Sequence, residues 1–199
     1  MPKPHRHQGF TLLELLIVII ILGIISAVAI PYYLNLQKEA KIATAKARMA
    51  AIRAAVDLAH AKILISGINS GIDGDNPDWP TLEELQRNEL FLSTRPVSLQ
   101  HLRLVRSEIY STERNKALPP CNLPDMAPGM LQNPSAVSHR TLADATATIR
   151  QANEATCWAY YPGNERDQYG RAVEAIFYIN DDRPSTDNID ASDLRPSMW

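Results

Sequence analysis

With 199 residues, 45% of them hydrophobic, the chain holds enough apolar material for one globular domain and an anchor. Its 20 basic and 22 acidic residues leave a net charge of −2, which argues against broad nonspecific binding to nucleic acid. The two cysteines form no C-x-x-C pair, the histidines do not cluster, and no catalytic constellation stands out, so the chain reads as a non-enzyme.

Residues 1–9 are short and polar, with Lys3 and Arg6 as fixed charges. Residues 10–30 are apolar and, at helical rise, long enough to cross the roughly 30 Å of a bilayer's hydrocarbon core. A membrane span is the direct reading. Glu14 disturbs it, because an ionised carboxylate at that depth costs about 2.5 kcal/mol or more and needs a partner, unless it snorkels to the headgroups. No basic residue lies between Phe10 and Tyr33, so the counter-charge must come from outside the span. Gly23 and Pro31 are both poor in a helix interior; Pro31 lacks an N–H and crowds the carbonyl of Ala27, which predicts at least a tolerated kink. Tyr32 and Tyr33 suit the aromatic belt of a membrane interface.

The helical pattern then continues. Ile42, Ala45, Met49, Ile52, Val56, Ala59 and Ile63 recur at alternating steps of three and four, a narrow stripe along one face. One helix is expected over residues 10–66, on the order of 85 Å long, with Ser66 and Gly67 as its stop. The stripe could seat a coiled coil, but small residues dominate it, and docking on the chain's own head is the favoured expectation.

Residues 68–80 read as a loop in which Asp73, Asp75 and Asp78 could ligate calcium, although Gly/Asp/Asn clusters are usually plain turns. Thr81 with Glu84 predicts a capping box opening a short helix that ends near Phe91. Residues 102–110 alternate in part and predict a strand; residues 111–138, with five prolines, predict loop. Residues 141–152 are ambiguous, with Leu142, Ala145, Ile149 and Ala152 sharing a face if helical. Residues 156–161 and 172–179 predict two strands, paired antiparallel across the turn that Pro162 and Gly163 open. The tail carries Asp181, Asp182, Asp187, Asp190 and Asp193.

The junction Gly9-Phe10-Thr11-Leu12-Leu13-Glu14 precedes the apolar run, whereas a conventional secretory signal is cleaved after it. This string resembles the class III signal of type IV pilins and pseudopilins, and the resemblance holds over roughly residues 9–60. It implies that a prepilin peptidase cuts between Gly9 and Phe10 and methylates the new amine of Phe10. In that family the buried Glu pairs with the Phe amine of a neighbouring subunit, which here implies that Glu14 and Phe10 carry assembly. Filaments of the family can lose helix between a Gly and a Pro at equivalent places, which makes residues 23–31 a helix-melting hinge.

The implied fold is α+β: a cleaved leader at 1–9, a transmembrane and assembly helix at 10–33, its amphipathic continuation at 34–66, and a pilin-like head at 67–199 built on a small antiparallel sheet. Lys3 and Arg6 precede the span and favour a cytoplasmic leader, Lys38 and Lys41 offset that, and the resemblance decides the orientation. The head then lies in the periplasm, with the subunit in the inner membrane until it enters an extracellular filament or a periplasmic pseudopilus. In that oxidising setting Cys121 and Cys157 read as a disulfide bounding a C-terminal region, as pilins often have; a thiol nucleophile or metal ligand, with His139 as its helper, is the competing reading.

The expected work is that of a structural subunit of a type IV pilus-like filament, in adhesion, motility or DNA uptake. A type II secretion pseudopilin is the alternative, and a single-span anchored sensor or binding protein is one of another class. Expected partners are identical or related subunits, the prepilin peptidase, an inner-membrane assembly platform and membrane lipid. No cofactor is required. Type II pseudopilins bind calcium in an acidic C-terminal loop, so Asp181, Asp182, Asp187 and Asp190 are calcium candidates, although the Gly-rich pattern is absent and a solvated tail is the plainer reading.

Overall fold

The structure is a computed structural model that describes residues 10–66, 78–90, 95–99, 102–105, 118–147, 150, 152–153, 155–163, 165–181, 183 and 196–198. The leader with Gly9, the helix stop at Gly67, the loop acids Asp73 and Asp75, residues 106–110 of the expected strand, and Asp182, Asp187 and Asp190 lie outside these residues. The chain divides into two compact units, Met1–Ala40 and Lys41–Trp199.

Helix α1 spans Leu12–Ile65 and is unbroken through Gly23 and Pro31. Its part in the first unit is exposed on every side. At its other end Ser66 closes the last turn, its N–H reaching the carbonyls of Lys62 and Ile63 while its hydroxyl donates to the Ile63 carbonyl.

The second unit is built around the stripe. Ala45, Met49, Ile52, Val56, Ala59 and Ile63 are all buried, as the spacing predicts, and Ile42 is half-buried. Ala45, Met49, Ile52 and Val56 join one apolar cluster with Leu85, Leu118, Trp158, Tyr160, Phe177 and Ile179. The last four come from strands β4 (Trp158–Tyr161) and β5 (Ile176–Ile179), which pair antiparallel with Trp158 opposite Ile179 and Tyr161 opposite Ile176. Strand side chains alternate between faces. Ala159, Tyr161 and Tyr178 therefore point the other way, into a second cluster with Leu142 and Ala145 of α4 (Leu142–Thr146). Both faces of β4 are covered, which is why all four of its residues are buried.

The sheet is mixed rather than purely antiparallel. Strand β3 (Val137–His139) lies parallel to β4, with Val137 opposite Trp158, so the order is β3-β4-β5. Parallel neighbours need a crossover of a dozen or more residues, and the chain between β3 and β4 contains α4. That helix resolves the ambiguity at residues 141–152: Thr141 and Asp144 form a capping box. Within the proline-rich stretch, Pro128 opens α3 (Pro128–Gln132), where its missing N–H costs nothing.

Helix α2 (Leu82–Arg87) starts at the predicted Thr81–Glu84 capping box but ends earlier than Phe91. Asn88 turns left-handed at φ 54°, and its side chain both donates to and accepts from the backbone of Val105. The chain is thereby diverted into β1 (Glu89–Leu90), which pairs antiparallel with β2 (Leu102–Arg103). β2 is all that forms of the longer predicted strand among the described residues.

Candidate functional site

The first turn of α1 carries the residues singled out by the sequence. Thr11 precedes the helix, and its hydroxyl oxygen accepts from the backbone N–H of Glu14 at 3.2 Å. The Glu14 carboxylate reaches back: Oε2 accepts from the Thr11 N–H and from the Thr11 hydroxyl, both at 2.9 Å. This is a reciprocal capping box of the kind that satisfies helix-start donors. Thr11 was not singled out beforehand, although the T-x-x-E spacing signals the box. Both bonds to the carboxylate fall on Oε2, and among the described residues no cation lies within ion-pair distance of Glu14.

The surface around this carboxylate is apolar throughout. Phe10 is 77% exposed, and Leu12, Leu13, Leu15, Ile17, Ile24 and Ile30 all stand open. Contiguous apolar surface of this extent marks a membrane or protein interface, and the helix is long and apolar enough to cross a bilayer. Tyr32 and Tyr33 are also exposed. No side chain meets a Cβ built at Gly23, so that glycine is not demanded by packing within the chain.

Cys121 and Cys157 are joined by a disulfide, both fully buried, tying the loop before α3 to the start of β4. Neither sulfur is a free thiol, which removes the nucleophile reading built on His139. The buried carboxylate of Asp181 is taken by Arg183, whose Nε and Nη2 donate to Oδ1 and Oδ2 at 3.0 and 2.9 Å. The backbone carbonyl of Asp78 accepts from the His60 ring at 2.7 Å. Among the described residues no three His, Cys, Asp or Glu side chains group as metal ligands.

One comparison with known proteins falls on the same segment. A family model described as the prokaryotic N-terminal methylation motif matches residues 4–30. The chain is 40% identical over 54 residues to a type II secretion system core protein G of Pseudomonas aeruginosa, covering 27% of this chain and 38% of that protein. It is 46% identical over 54 residues to a type IV narrow pilus major component of Thermus thermophilus, covering 27% and 47%. With a type IV major pilin of Myxococcus xanthus it shares 45% over 47 residues, 24% of this chain and 21% of the relative. Each match spans less than half of the relative's length. No solved structure matches significantly.

Proposed function

We propose, from an amino-terminal segment that is of the type IV pilin and pseudopilin family, that this chain is a structural, non-enzymatic subunit of a pilus-like filament. The observation that carries the proposal is the setting of Glu14: one acid, half-occupied by Thr11, in the otherwise apolar residues 12–30 of α1, which are exposed on all sides. Cleavage between Gly9 and Phe10 by a prepilin peptidase releases an amine four residues from Glu14. In a filament the amine of one subunit meets the open Oε1 of the next, because a charge buried without a partner costs several kcal/mol. The subunit waits in the inner membrane with its head outside, is extracted by an assembly platform, and packs α1 into the fibre. Repeated heterologous contacts of this kind give open filaments, not closed rings. Residues 23–31 would stretch within the fibre, where the Pro31 N–H is already missing from the ladder.

The test separates charge from capping. Gln serves at the third position of a capping box, so Glu14→Gln keeps the helix start and removes only the charge. Loss of filaments in that variant, together with an N-methylated Phe10 found by mass spectrometry of the wild type, supports the filament. Unchanged behaviour of Glu14→Gln, or a mature chain that retains residues 1–9, favours a single-span anchor that never polymerises. The secretion pseudopilin reading rests on the match to the core protein G over 54 residues. Filaments sheared from the cell surface point to a pilus, and fibres confined to the periplasm to a pseudopilus.

A further inference from the structure

Away from the first turn of α1, two arginines share a cavity of about 230 Å³ between the second half of that helix and the edge of β5. Arg53 is half-buried and anchored by its Nε, which donates to the Phe177 carbonyl at 2.8 Å. Arg150 follows α4; its Nε donates to the Ala145 carbonyl at 3.3 Å and its Nη1 to the Ser197 carbonyl at 3.2 Å. Its guanidinium carbon also sits 5.5 Å from the centre of the Tyr178 ring. All these acceptors are neutral. Among the described residues neither guanidinium is ion-paired with a carboxylate, Asp57 at the cavity rim included.

Two cations face one cavity whose single acid among the described lining residues, Asp57, is ion-paired with neither, an arrangement that a bound anion would relieve. The pKa of Arg53 is pulled below the ordinary guanidinium value chiefly by burial and then by the Arg150 charge, with Asp57 opposing. Backbone anchors fix both forks beforehand, so little side-chain freedom remains to be lost on binding. Besides these charged residues the lining comprises Val56, Ala175, Ile176 and Phe177, whose side chains are apolar. Asp57 repels a second negative charge, which favours a singly charged ligand over a phosphate dianion.

We propose that this cavity binds a carboxylate borne on a short apolar group, clamped between Arg53 and Arg150. Its source is either a free organic acid or an acidic side chain of a neighbouring copy of this chain. The site exists in the single subunit, so the binding test below does not depend on the filament reading.

The full-length chain in detergent micelles, labelled at arginine Nε, is titrated with benzoate, with its neutral isostere benzamide and with inorganic phosphate. Saturable shifts at Arg53 and Arg150 are expected with benzoate. Binding of benzamide should be roughly tenfold or more weaker, because it lacks the charge-assisted bonds, and phosphate should also bind more weakly than benzoate. Arg150→Gln should abolish the response. Ala175→Leu, which fills the cavity and leaves both arginines in place, should abolish it as well, and keeps the test decisive if the first variant does not fold. Benzoate uptake by assembled filaments identifies a free acid as the ligand; exclusion from filaments, with binding retained in micelles, identifies a neighbouring subunit's carboxylate. Absence of saturation, equal response to benzamide, or phosphate binding as tightly as benzoate overturns the proposal.

Discussion

Glu84 and Arg95 meet side by side with both side chains fully removed from solvent. Arg95 Nε donates to Oε1 and Nη2 to Oε2 of Glu84, each at 3.1 Å. The same carboxylate caps α2 by accepting from the Thr81 N–H at 2.9 Å, and Arg95 Nη2 also donates to the Trp79 carbonyl. One buried acid thus starts a helix and holds residue 95 against it; Thr81-x-x-Glu84 announces the first job but not the second. Breaking such a pair on one side costs about 3–5 kcal/mol, because it strands the remaining charge. Arg95→Met should therefore lower the unfolding free energy of the head by that order in chemical denaturation. The double variant Arg95→Met with Glu84→Gln should recover part of the loss, since Gln still caps the helix and leaves no buried charge.

Gly163 follows β4 at φ +68°, where an added Cβ would lie 2.6 Å from the Ala175 nitrogen and 3.0 Å from the Trp79 side chain. Both the left-handed backbone and the contact with main chain exclude a side chain. Gly163→Ala should destabilise by more than about 1 kcal/mol, read as a lower thermal midpoint. An unchanged midpoint would mean that the turn between β4 and β5 has room the structure does not show.

The Cys121–Cys157 bond closes a separation of 36 residues. In the chain-entropy model that constraint contributes roughly 4 kcal/mol, and it spans α3, β3 and α4. Replacing both cysteines by serine should lower the stability of the head by that order. The apolar stripe of α1 should stay buried, so near-native helix content by circular dichroism is expected below the new midpoint.

Asp167 organises the turn before β5. Its Oδ1 accepts from the backbone N–H groups of Tyr169 and Arg171 at 2.8 and 2.9 Å, and Oδ2 accepts from the Arg171 guanidinium. The backbone N–H of Arg171, helped by the guanidinium of Arg171 and the Tyr169 amide, holds the carboxyl below its ordinary value of 3.8, with desolvation opposing. A depressed folded pKa means that the contribution to turn stability is complete above 3.8 and is lost as pH falls through the lower folded value. The amide resonances of Tyr169 and Arg171 should shift together in that acid window and not between neutral pH and 5. Asp167→Asn should abolish the shift.

Features that depend on neighbours along the chain are legible in the residue order. The apolar run from Phe10, the three-and-four stripe from Ala45 to Ile63, the capping box at Thr81 and the antiparallel pair either side of Pro162 all follow from local period and turn chemistry. So did the position of Glu14, because an acid in such a run needs no folded structure to look out of place. Tertiary structure decided what depends on residues far apart. Asn88 ended α2 early because it found the Val105 backbone, β3 became a parallel neighbour of β4 through a crossover, and Arg53 met Arg150 only once α1 lay on the sheet. A hydrophobic period states which face is buried but not what buries it, and a lone charge names no partner until the fold brings one within reach.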